Sequence, residues 1–191
     1  MTSLSEFWGT EPAERKLEFP CDGLIAEPDQ TLFRGVTIAA PPPVVFRWLC
    51  QLRAAPYSYD WIDNGGQCSP AKLTPGLEKL AVGQDVMRIF VLSSFEKDRH
   101  LTLRLKQNRR ASATFGDLAV SYLIVPSTPG GLSSRLLVKL TVKSRSGFYG
   151  KLMSVVLPWG DLIMMRRQLL NLKRLSEQTA SNDTHQATQQ H

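Results

Sequence analysis

A chain of 191 residues carrying 42% hydrophobic and 21% charged residues is long enough to build one domain with a core that needs no disulfide or metal. Its formal charge of +6 permits attraction to anionic partners, but the 23 Lys and Arg are spread along the chain rather than massed in one run. No apolar stretch approaches the roughly 20 residues of a membrane-crossing helix; the best candidate, around 155–165, is broken by Pro158, Gly160 and Asp161.

Residues 1–28 contain Pro12, Pro20 and Pro28 among mixed charges and read as an irregular leader. They lack a basic start followed by an apolar run, so no secretory signal is read there. The three cysteines, Cys21, Cys50 and Cys68, are odd in number and form no CxxC pair. That usage fits a reduced, cytoplasmic protein.

One domain is expected over 29–177. LFRGVTI at 32–38 is a β-rich run, and the triple proline 41–43 ends it and presets φ for a helix start. Val44, Val45, Trp48, Leu49 and Leu52 recur at helical spacing, which predicts a short amphipathic helix over 43–53.

PYSYDWIDN at 56–64 then packs three aromatic rings and two carboxylates into nine positions, directly before Gly65-Gly66. Asp60 and Asp63 stand three apart, a spacing that suits turn capping or salt bridging, with ligand contact and acid–base chemistry as alternatives. The apolar bodies and polar tips of Tyr57, Tyr59 and Trp61 suit the mouth of a pocket.

From Val82 the period changes. DVMRIFVLSSF reads as one strand, with a hairpin at 96–98 leading into HLTLRLKQ, where Leu101, Leu103 and Leu105 alternate with polar residues. LAVSYLIVP and SRLLVKLTVK, separated by a Gly/Pro turn, complete an expected antiparallel meander of four strands. Alternation puts Arg104 and Lys139 on the solvent side. Arg88 is ambiguous, because apolar residues fill both phases of its strand, and an inward Arg would bind a carboxylate in a bidentate manner. His100 reads either as a hairpin-end histidine or as an acid–base group without an identifiable partner.

From Gly147 to Glu177 the apolar residues return to helical spacing, predicting a long helix kinked at Pro158. Its cationic second half, MRRQLLNLKR at 165–174, is interleaved with leucines and reads as a solvated face suited to the helix C-terminus, not as a nucleic-acid surface. Residues 178–191 are polar and are expected to form a disordered tail.

This order resembles the helix-grip fold of the START/Bet v 1-like superfamily, also called the SRPBCC or polyketide cyclase/dehydrase-like group. The resemblance rests on TLFRGVTIAAPPPVVFRWL at 31–49, LAVGQDV at 80–86, FEKDRHLTLRL at 95–105, the paired strands over 118–143 and the final helix. It implies an α+β fold in which a curved antiparallel sheet wraps the C-terminal helix around a cavity.

The resemblance further implies binding of a hydrophobic or amphipathic small molecule, lipid- or polyketide-like, in that cavity. A cyclase/dehydratase-type enzyme acting in the same space and a protein-interaction module are the alternatives. Expected ligand contacts are Tyr57, Tyr59, Asp60, Trp61, Arg88, Phe90, Tyr122, Leu152, Met153, Val156, Trp159 and Ile163. The competing reading for the helix residues is that they fill a solid core. No metal or cofactor is expected: two of the three histidines, His185 and His191, lie in the tail, and no GxSxG, GxGxxG or Walker-type loop occurs.

Overall fold

The computed structural model describes residues 5–59, 68–107, 116–127, 130–144 and 148–188, with backbone alone at 148–155, 185, 187 and 188. The strands are β1 (Phe7–Trp8), β2 (Gln30–Ile38), β3 (Asp85–Val86), β4 (Phe90–Glu96), β5 (His100–Leu105), β6 (Asp117–Pro126) and β7 (Ser134–Lys143). Among the described residues the helices are a 3-10 turn at Glu14–Lys16, α1 (Pro42–Cys50), continued by a 3-10 turn at Gln51–Arg53, and α2 (Phe148–Thr188).

The seven strands form one curved sheet in the order β1-β2-β7-β6-β5-β4-β3. Every ladder is antiparallel except β1 on β2, which is parallel, so the sheet is mixed rather than purely antiparallel. The expected meander is present as β4-β5-β6-β7, with its hairpin turn at residues 97–99. A register shift between Leu92 and Ser94 leaves Ser93 as an extra residue in β4, a bulge of the kind that adds twist.

The segment 85–95 is two strands, not one. Met87 and Arg88 take positive φ (47° and 63°), and the chain turns back on itself so that Asp85 faces Val91 and Val86 faces Phe90. The apolar residues flanking Arg88 concealed this turn, which lacks glycine and proline.

Strand alternation gives the sheet two apolar faces, each covered. On the inner face, Leu32, Leu140, Val120, Leu103 and Leu92 pack with Trp48, Leu49 and Leu52 of α1 and its 3-10 turn and with Leu169, Leu172 and Leu175 of α2. Side-chain bonds fasten the helices: Trp48 Nε1 donates to Thr179 Oγ1 at 3.0 Å, Lys173 Nζ to the Thr37 carbonyl at 2.8 Å, and the Ala39 N–H to Glu177 at 2.8 Å.

Over β2, β7 and β6 the outer face is covered by the leader. Phe19, Cys21 and Ile25 pack on Phe33, Ala119, Leu123 and Leu137 in a second apolar cluster. Arg135 grips Glu14 with both carboxylate oxygens engaged, at 2.7 and 2.8 Å, and Arg135 Nη2 also reaches the Gly9 carbonyl at 2.7 Å. Lys139 pairs with Asp22 and lies over the rings of Phe19 and Phe33. Lys139 does point to the outer side, as alternation predicts, but the leader covers it. Gly9 and Gly35 let the leader approach: a Cβ on Gly9, where φ is +68°, would stand 2.2 Å from the Gly35 carbonyl oxygen.

α2 is longer than expected. It runs through most of the polar segment read as a tail, to Thr188, and Trp48 and Ala39 bond to its residues 179 and 177. No helix among the described residues is long and apolar enough to cross a membrane.

Candidate functional site

The register of the sheet builds one row across the inner face: Trp8, Arg34, Val138, Tyr122, Leu101 and Phe95. Two polar residues, Arg34 and Tyr122, interrupt an otherwise apolar surface, and both lie under α2. Polar groups so deeply buried are costly unless paired. Their partners define the site.

Tyr122 donates its hydroxyl hydrogen to Gln168 Oε1 at 2.7 Å, and Gln168 Nε2 donates to the Pro56 carbonyl at 2.6 Å. Two thioethers close round this pair. Met165 Sδ lies 3.9 Å from the Tyr122 hydroxyl, and Met87 Sδ lies 3.6 Å from Gln168 Nε2. The odd backbone at Met87 thus delivers a flexible side chain to the polar pair. Asn171, one turn further along α2, donates to the Tyr57 carbonyl at 2.9 Å, so α2 holds both Pro56 and Tyr57 in place.

Arg34 is 1% exposed, and its Nη2 stands 2.8 Å from Asp161 Oδ2. Nη1 donates to the carbonyls of Glu6 and Phe33 and Nη2 to those of Ser5 and Pro158, while the buried Nε–H has no partner among the described residues. One side chain therefore ties leader, β2 and α2 together. Burial pushes the Asp161 carboxyl up to about 6 even though the guanidinium beside it pulls the other way. Burial likewise lowers Arg34 from its usual range. Desolvation outweighs attraction on both partners, as buried ion pairs often show. Burial, with the Asp161 charge adding to it, raises the Tyr122 phenol, which stays protonated.

The expected ligand contacts distribute unevenly around this centre. Tyr122 is in it. Tyr57 is buried beside it, not at a mouth, with φ of +57° and its ring edge-on to Trp48 at 6.0 Å. Phe90 is half-buried against the inner core, and Tyr59 is half-buried with its N–H on Ser58 Oγ at 2.6 Å. Arg88 is exposed in the 87–89 turn and points no guanidinium into the interior. Asp60 and Trp61, with the rest of 60–67, lie outside the described residues, as do the side chains of Leu152 and Met153.

Val156, Trp159 and Ile163 face away from the sheet, 51%, 51% and 55% exposed, and so do not line the interior. The inward face of α2 is instead Pro158, Leu162, Met165, Gln168, Leu169, Leu172 and Leu175. The N-terminal half of α2 is apolar almost all round, so helical spacing alone cannot choose the inward face. The Asp161–Arg34 pair helps fix the rotation. His100 stands at the start of β5 on the outer side, 3.8 Å from Glu96, with burial lowering its pKa; it is a hairpin-end residue.

Arg34, Asp161 and Gln168 escaped the sequence reading. The available signal was a charge or amide set singly in an apolar strand or helix. For Arg34 it was visible in LFRGVTI, but no local pattern links that residue to Asp161.

A mixed sheet gripping a long C-terminal helix, with a short helix after the first long strand, is the helix-grip arrangement. The fold is a helix-grip α+β fold. No family model matches the chain, and no curated protein matches it. Among solved structures it is similar to a START superfamily protein from Mycobacterium smegmatis, at 17% identity and TM-score 0.45, over 80% of this chain and 97% of that one. It is similar also to the Zhui aromatase/cyclase from a Streptomyces species, at 14% identity and TM-score 0.43, over 81% and 95% of the two chains. A protein from Mesorhizobium loti aligns at 18% identity and TM-score 0.47, over 78% and 98%.

Proposed function

We propose that this protein binds a hydrophobic or amphipathic small molecule, lipid- or polyketide-like, between the inner face of the sheet and α2, with the Tyr122–Gln168 pair as its polar anchor. The observation that carries the reading is the convergence of that pair with Met87 and Met165 on an otherwise apolar face. A hydroxyl and an amide fix the polar end of a ligand, while thioethers on flexible stems yield space to its apolar body. Beyond Gln168 the core is closed by Leu169, Leu172 and Leu175, so the ligand would extend toward the N-terminal half of α2. The buried thiols Cys21 and Cys50, both unpaired, support a reducing, cytoplasmic setting.

The test is titration with an environment-sensitive fatty acid. An Ile163→Asp background keeps the probe off the exposed face of α2. Tyr122→Phe should weaken binding by about tenfold, the value of one buried hydrogen bond. Unchanged affinity would move the ligand away from this pair.

A second reading has one observation behind it. Asp161, raised to about 6 and electrostatically coupled to Tyr122, is in the range where a carboxyl exchanges protons near neutral pH. A cyclase or dehydratase would use such an acid. In that case Asp161→Asn abolishes turnover of a poly-β-keto substrate while leaving its binding intact; for a carrier, no turnover exists to lose.

A further inference from the structure

The outward face of α2 has no protein cover among the described residues. Val156, Trp159, Ile163 and Leu170 form a stripe along it, exposed at 51%, 51%, 55% and 37%. Their spacing of three, four and seven keeps them on one side of a helix turning 3.6 residues at a time. The same rotation sets Arg166 and Lys173 along one edge of the stripe and Arg167 and Arg174 along the other. From Val156 to Arg174 there is a single carboxylate, Asp161, and it is turned inward onto Arg34. The outward face is therefore apolar along its centre, cationic on both edges and free of acid over five turns.

Arg167 has no carboxylate partner among the described residues, Arg166 lies over the Trp8 ring, and Arg174 meets only the neutral Gln178. Lys173 alone is compensated, by Glu177 at 3.4 Å. A second copy of this chain would place like charges against like charges across such an interface. An anionic bilayer surface meets both features at once: acyl chains receive the apolar stripe, a tryptophan sits at headgroup depth, and lipid phosphates receive the arginines.

We infer that α2 docks this protein on anionic membrane surfaces, lying in the interfacial plane through Val156, Trp159, Ile163 and Leu170 with Arg166, Arg167 and Arg174 on lipid headgroups. The inference concerns the outside of the helix and stands whether or not the interior holds a ligand.

The experiment is co-sedimentation of the full chain with phosphatidylcholine vesicles, with and without phosphatidylglycerol. Binding is expected to the anionic vesicles and to fall with added salt. Arg167→Gln with Arg174→Gln should weaken it roughly thirtyfold, and Ile163→Asp by at least about tenfold. All these positions are exposed, so circular dichroism should show unchanged folding. Absence of vesicle binding, or binding that survives Ile163→Asp, overturns the inference. So does a concentration-dependent dimer that Ile163→Asp dissolves while vesicles remain unbound.

Discussion

Arg34 shows why a single residue can define an interior. Its guanidinium is almost fully buried and reaches Asp161 and four carbonyls drawn from the leader, β2 and α2. Removing it strands a buried carboxylate and orphans several acceptors at once. Arg34→Met should therefore cost about 3–5 kcal/mol in denaturant unfolding, well above a typical surface change. Asp161 carries a pH signature with a definite sign. Its folded-state value near 6 lies above the ordinary aspartate value of 3.8, so between those values the native chain binds more protons than the unfolded one. Its contribution is fully present at pH below about 4 and is lost as pH rises to about 6. The stability of the wild type relative to Asp161→Asn should thus decline over that window, by on the order of 2–3 kcal/mol. A relative stability that instead grows with pH would mean Arg34 holds the carboxyl below its usual range.

At the scale of elements, the leader contributes more than its sequence suggested. Its proline-rich, mixed-charge composition reads as irregular, and most of it is. Yet Phe19, Cys21 and Ile25 close the outer face of β2, β7 and β6. Their use is long-range, and only the structure shows which apolar side chains they meet. Gly35→Ala tests this cover: its Cβ would come within 2.8 Å of the Gly9 carbonyl and 2.9 Å of the Thr10 methyl. The leader should lift from β2, seen as new proteolysis within residues 5–28 and a Tm lower by several degrees, about 1–3 kcal/mol. The other elements were legible to different degrees, for physical reasons. The triple proline marked the start of α1, and alternation, strict in HLTLRL and broken in SRLLVKLTVK only by Leu137, marked β5 and β7, because only one phase of each can face the core helices. The 87–89 turn was illegible because Arg88 is flanked by apolar residues in both strand phases and the turn lacks glycine, proline and the other usual turn formers. The rotation of α2 was illegible because leucine, valine and methionine surround it, and a buried ion pair helps choose its face. Of the candidate site, Tyr122 was legible as an aromatic on a buried strand; Gln168, Met87 and Met165 meet it only through tertiary contact.

For the whole molecule, the consequence is a sheet whose inner face carries a polar centre among apolar residues. The leader covers the outer side over β2, β7 and β6, and α1 with α2 covers the inner side. Buried polar groups specify where helix and sheet must meet, and the two methionines beside them leave that junction adaptable. The proposed activity follows from this asymmetry: a firm leucine core under the C-terminal half of α2, and a polar, thioether-lined junction toward its other end. The most direct measurement is native mass spectrometry of freshly purified protein. A discrete apolar adduct is expected on the chain, or one that forms on adding a long-chain fatty acid and is diminished by Tyr122→Phe. A chain that stays bare in both conditions would contradict the proposed activity.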